Sequence, residues 1–141
     1  MKNFLTFVTF LIIIFSSISK VYSIEPDIFV QSTVNRASEA LSNQFSKEEK
    51  IEKLKKIASE TVDIKGISFY TLGSHRKNIT DNQLKQYETL FKEYFLKSFS
   101  SRLAEYSNPE IEVTSKKELN KNYTIVFSTL VSTEQRPEVK I

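Results

Sequence analysis

Over residues 80–106, apolar side chains recur at three- and four-residue steps. They fall at Leu84, Tyr87, Phe91, Tyr94 and Phe95, and continue through Phe99, Leu103 and Tyr106. No Gly or Pro interrupts the stretch. That period belongs to an amphipathic helix, and the face it defines is largely aromatic. Thr80 followed by Gln83 is a capping box that marks the start. Asp81 with Lys85, Glu88 with Lys92 and Glu93 with Lys97 stand four apart with the acid first, the favourable order. At about 1.5 Å per residue such a helix spans roughly 40 Å. A face this wide and apolar requires an extensive cover.

Shorter helical patterns precede it. Glu25-Pro26-Asp27 opens a first helix, with Pro at a tolerated early position and Ile28, Phe29, Ala37, Leu41 and Phe45 as a loose apolar face. Ser46 and Glu49 form a second capping box, and a helix follows to about residue 59 with Ile51, Leu54, Ile57 and Ala58 as its stripe. Glu49 with Lys53 and Glu52 with Lys56 support its solvated side. Asp63 is the expected N-cap of a third, short helix carrying Ile64, Ile67, Phe69, Tyr70 and Leu72, stopped at Gly73. Residues 74–79 read as a polar connection holding the single His, His75.

Past Tyr106 the period changes from about 3.6 to two. Asn108-Pro109 breaks the helix. Residues 111–114 alternate as a short strand, 116–121 read as polar and turn-like, and 122–132 form a strand rich in β-branched and aromatic residues. On it Tyr123, Ile125 and Phe127 point one way, Val126, Ser128 and Leu130 the other. Residues 133–136 suggest a hairpin connection, and 137–141 begin a third strand. Helices first and strands afterwards predict an α+β domain. The long amphipathic helix is expected to pack on an antiparallel sheet, cystatin- or NTF2-like and incomplete.

The N-terminus changes the picture of where the chain works. Lys2 precedes an apolar run over residues 4–15, then Ser-rich sequence and Val21-Tyr22-Ser23. A short positive segment, an apolar core and small or medium residues at the −3 and −1 positions, Val21 and Ser23, form a secretory signal peptide over residues 1–23. An uncleaved anchor is the other reading, but the run falls short of the roughly 20 residues that span a bilayer. The working domain is therefore expected over residues 24–141. Setting aside Lys2 and Lys20, the net charge falls from +3 to +1, so no basic surface for nucleic acid is expected.

Composition excludes much chemistry. There is no Cys and one His, which rules out Cys–His pairs, disulfides and Cys-ligated metal. With two Gly, there is no nucleophile elbow and no phosphate-cradling loop. No catalytic residue, metal site or cofactor is expected, and the protein reads as a non-enzyme. The sequons at Asn78 and Asn122 are better explained by a helix cap at Thr80 and by strand entry. The aromatic surface remains. It is either ordinary core or one wall of a cavity for an apolar ligand.

From Val62 onward the order of residues resembles the MlaC family, the toluene-tolerance or ABC-transporter auxiliary proteins. The residues that carry the resemblance are Val62-Asp63-Ile64, Ile67-Ser68, Leu72-Gly73, Arg76-Lys77, Thr80 with Gln83, Leu90-Phe91 through Tyr94, and Arg102-Leu103-Ala104-Glu105-Tyr106-Ser107. The family's proteins are periplasmic phospholipid-binding shuttles that serve outer-membrane lipid asymmetry. The resemblance implies a periplasmic, monomeric carrier whose partners are phospholipid and, through transient docking, the membrane complexes of lipid transport. It also implies that the chain is C-terminally truncated relative to its relatives, whose sheets continue. The pocket residues expected on this basis are Tyr70, Leu72, Phe91, Tyr94, Phe95, Phe99, Ile125 and Phe127. The alternative is a secreted protein-binding or chaperone-like module using the same apolar face.

Overall fold

The computed structural model describes residues 23–132 and the backbone of 139–140. The expected signal peptide, but for Ser23, and the expected hairpin connection at 133–136 lie outside the described residues. Helix α1 spans Pro26–Ala40, α2 Lys47–Thr61, α3 Ile64–Leu72 and α4 Asp81–Leu103, with a 3-10 turn Gly73–Lys77 between the last two. The strands β1 (Glu110–Asn120), β2 (Tyr123–Ser132) and β3 (Val139–Lys140) form one antiparallel sheet in that order. The fold is α+β with an open, incomplete sheet.

Three of the four helix starts are fixed by the capping residues that announce them, and α1 opens on Pro26 without a side-chain cap. The Thr80 hydroxyl accepts from the Gln83 N–H at 3.3 Å, and the Thr80 N–H donates to Gln83 Oε1 at 2.9 Å. Ser46 and Glu49 make the same reciprocal pair at 3.2 and 2.8 Å. Asp63 Oδ1 accepts from the Gly66 N–H at 2.9 Å. These bonds satisfy amide groups that the helix itself cannot. At the other end of α3, Gly73 takes φ +56°, a region costly for any residue with a Cβ.

The core is small and lies where three helices converge. Ala40 and Leu41 at the end of α1, Leu54 of α2 and Ala104 after α4 are buried, with Ala37, Ile51, Ile57, Leu103 and Tyr106 packed round them. Small residues bring the helices together: Ala58, Ser68 and Ser100 are almost wholly buried. The two serines donate within their own helices, Ser68 to Lys65 O at 2.7 Å and Ser100 to Leu96 O at 2.5 Å, so neither hydroxyl is left unmatched.

The long helix is seated chiefly on other helices. Helix α4 packs against α2 and α3, while α1 lies between α2 and the sheet. At its C-terminal end α4 approaches the sheet, where Leu103 and Tyr106 share a cavity with Ile111 and Leu130. Tertiary bonds join α4 to α3: Thr71 Oγ1 and the Tyr87 hydroxyl lie 2.8 Å apart, and Lys65 pairs with Glu88 at 3.4 Å. Glu88 thus meets a lysine of another helix, and Glu52 meets Lys55 at 2.7 Å rather than Lys56. Exposed pairs are worth about 0–1 kcal/mol, so their partners exchange easily.

The polar stretch 116–121 is not the turn its composition suggests. Strand β1 runs to Asn120 because β2 pairs with it throughout, Lys116 with Val126, Lys117 with Ile125 and Glu118 with Thr124. The turn is confined to Lys121-Asn122, where the Asn122 N–H donates to Asn120 Oδ1 at 2.9 Å. Lys116 reaches back to the start of α1, bonding Glu25 and Asp27 at 2.8 Å each. Farther along, the Val113 N–H donates to Gln31 Oε1 at 3.3 Å. These contacts fasten α1 to β1.

Candidate functional site

An apolar cavity of about 170 Å³ opens between the ends of α1 and α4 and the inner face of the sheet. Val34 and Leu41 line it from the first helix and its cap. Leu103, Tyr106 and Pro109 come from the end of α4 and the connection beyond, and Ile111, Ser128 and Leu130 from the strands. The period of two places Ile111, Ser128 and Leu130 on one sheet face, and the register sets Ile111 against Leu130. Among the lining side chains only those of Ser128 and Tyr106 carry a polar group. A cavity of roughly 150 Å³ holds a ligand of benzene's size, so this one accommodates the end of a hydrocarbon chain and not its whole length.

Along α4 four aromatic rings form a ladder. Tyr87 and Phe91 lie 5.8 Å apart between centroids, Phe91 and Phe95 6.2 Å, and Phe95 and Phe99 5.5 Å, the last pair within 9° of parallel. Each step is four residues, slightly more than a turn, so the ladder winds round the helix by about 40° per step. Its next step is Leu103, which lines the cavity. One apolar track therefore connects the middle of α4 with the cavity.

The eight residues expected at the pocket are distributed over several surfaces. Phe91, Phe95 and Phe99 are brought together in the ladder. Tyr94, on the same helix, is 71% exposed. On α3, Leu72 is half-buried and Tyr70 is 85% exposed. Ile125 and Phe127 lie on the outer sheet face, alternating with Val126 and Ser128, so the sheet stands between them and the cavity. None of the eight lining residues was singled out as a ligand contact from the sequence, although Leu103 and Tyr106 belong to the apolar face read there. Ile111 and Leu130 had a signal in strand alternation. Pro109 and Ser128 had none, because one reads as a breaker and the other as polar.

The ionisable groups with shifted pKa values lie outside the cavity lining. The Lys116 ammonium bonded to Asp27 lowers that carboxyl, while hydrogen bonds to Asp27 and then Glu25 raise Lys116 above the ordinary lysine range. Glu49 is lowered by the Ser46 N–H and hydroxyl of its own capping box. These shifts belong to a structural clamp and a helix cap, not to a cleft. Among the described residues no group of three or more His, Cys, Asp or Glu side chains could hold a metal ion. No described helix is long and apolar enough to cross a membrane.

The sequence model of one protein family, described as the MlaC protein, matches residues 31–141. The chain belongs to the MlaC family. MlaC proteins are periplasmic carriers of lipid and not an enzyme family, and membership gives this chain a lipid-binding, transport role in general terms. The matched span includes the cavity, the aromatic ladder and all three strands. No curated protein and no solved structure matches the chain. In this MlaC-family chain the hydrocarbon lining of the cavity and the ladder leading to it are the features suited to an acyl chain.

Proposed function

We propose that the protein carries phospholipid across the periplasm between inner- and outer-membrane complexes of an ABC-type lipid transport system, holding the acyl chains without covalent chemistry. Residues 1–23 serve as the export signal and residues 24–141 as the carrier domain. The observation that supports this reading best is the continuity of the aromatic ladder with the apolar cavity. Each methylene withdrawn from water is worth about 0.8 kcal/mol, so a tail of about sixteen carbons represents about 12 kcal/mol. A carrier must cover most of that length. The cavity takes the tail's end, and Phe91, Phe95 and Phe99 lie against the rest through Leu103. The phosphate head remains in water, which agrees with a cavity bearing no charged side chain.

Lipid extraction and native mass spectrometry of gently purified protein, expressed with its leader, test the proposal. Phospholipid is expected to co-purify, and a Leu103→Asp substitution is expected to reduce its yield several-fold by placing a charge between ladder and cavity. Recovery of protein free of phospholipid would overturn the reading.

A further inference from the structure

The outer face of the β1–β2 hairpin is apolar, and among the described residues none covers it. Tyr123 is 67% exposed, Leu119 55%, Ile125 40% and Phe127 45%. Charge is segregated across the same hairpin. The register places Lys117 opposite Ile125, on the outer face, and Lys121 sits in the turn beside Tyr123. On the inner face Lys116 lies opposite Val126 and Glu118 opposite Thr124. There Lys116 is already matched by Glu25 and Asp27. Among the described residues neither Lys117 nor Lys121 takes part in an ion pair. The tip half of the outer face therefore carries apolar side chains and two cations with no acid among them, although residues 24–141 together carry a net charge of only +1.

We infer that this hairpin face is a membrane-docking surface that seats the protein on an anionic phospholipid bilayer. The chemistry fits at each level of depth. Leu119 and Ile125 supply surface that enters the acyl boundary. Tyr123 has the ring-and-hydroxyl form that favours the headgroup level. Lys117 and Lys121 meet anionic headgroups, each worth about tenfold or less in affinity at such a surface. Two cations and a few apolar groups give reversible contact, not permanent anchoring, as a shuttle requires. The inference goes beyond the carrying of acyl chains, because the hairpin's outer face is separate from the cavity and the ladder's Leu103.

Vesicle flotation of the protein purified after export tests it. Vesicles of phosphatidylethanolamine with a minor share of phosphatidylglycerol are expected to bind the protein, and phosphatidylcholine vesicles to bind it far less. Lys117→Glu with Lys121→Glu, and separately Leu119→Ser with Tyr123→Ser, are each expected to weaken binding at least about tenfold. Added salt is expected to weaken binding of the parent but not of the charge-reversed pair. All four positions are exposed, so thermal melts of both variants should match the parent. Flotation unchanged by either pair of substitutions, or equal on neutral vesicles, would refute the docking surface. So would a vesicle-free self-association abolished by the same changes, which would assign the face to a second copy. Co-purified phospholipid separates the two readings: a parent protein that retains phospholipid but fails to float overturns docking alone, whereas variants that retain phospholipid but fail to float are the expected result.

Discussion

Asp63 and Gly66 form a unit in which each residue limits the other. The carboxylate caps α3 by accepting from the Gly66 N–H at 2.9 Å, and a Cβ at position 66 would lie 2.2 Å from Asp63 Oδ2. A side chain there must expel the cap. Asp63→Ala is expected to cost about 1 kcal/mol, the usual worth of an N-cap. Gly66→Ala loses the same cap but gains up to about 1 kcal/mol of helix propensity, so its net effect should lie within about 0.5 kcal/mol of zero. The double variant should then be more stable than Asp63→Ala alone. Urea denaturation of the three variants checks this, and strict additivity of the two changes would contradict the shared contact. Asn108 makes a comparable local decision at φ 47°: its N–H donates to Leu41 O, and its Oδ1 accepts from the Asn43 N–H, each at 3.2 Å. That clasp fastens the end of the helical region to the turn after α1.

At the scale of elements, α4 combines two kinds of apolar surface that its sequence does not distinguish. Ser100 is fully buried, while Phe99 beside it is 36% exposed. Hydrophobicity alone would rank them the other way. Helix α4 packs against α2, whose Leu54 and Ala58 are buried, and Ser100 is the residue of α4 that is buried; close-packed helices favour a small side chain at such a position. Leu54→Ala should therefore destabilise the protein by about 2–5 kcal/mol, a large part of a typical domain's total. Phe99→Ser should cost much less stability while reducing bound phospholipid. Chemical denaturation together with lipid extraction on both variants separates the roles. A larger stability loss at Phe99 than at Leu54 would show that the ladder is core. Strand β1 shows the same dependence on partners, since residues 116–120 carry no apolar stripe and extend only because β2 is there to pair with them.

For the whole molecule, the notable property is how little of its large apolar surface is buried. The buried hydrophobic residues among those described are Ala40, Leu41, Leu54, Ala58, Ile64, Ala104 and Leu130, and three of the seven are alanines. Large side chains such as Phe29, Leu90, Tyr94, Phe99 and Phe127 remain exposed. A protein built this way gains much from any ligand that covers its apolar track. A ligand bound only by the folded state stabilises by RT ln(1 + [L]/Kd), about 2.7 kcal/mol at a hundredfold excess over Kd. Complete delipidation is therefore expected to lower the melting temperature by several degrees, and adding back phospholipid in detergent to restore it. Calorimetry of delipidated and reloaded protein provides the check, and identical melting curves would contradict a stabilising acyl site.

By itself the sequence determined the helices and their starts, since caps such as Thr80 with Gln83 act over three or four residues and need no distant partner. It also determined the α+β class and the alternation of Ile125 and Phe127 with Val126 and Ser128. Only the tertiary structure decided that α4 rests mainly on α2 and α3, that Ser100 and Ser68 are interior, and that the cavity takes Val34, Pro109 and Ser128 while Ile125 and Phe127 face outward. Those outcomes depend on where surfaces far apart in the chain come to rest. A periodic pattern states which face of an element is apolar, but it does not state what will cover that face. Along residues 80–106 the same aromatic period that fixed the helix left open whether its rings would be core or track. The answer came from the partners of α4, which cover its small residues closely and leave its ladder leading to an apolar cavity.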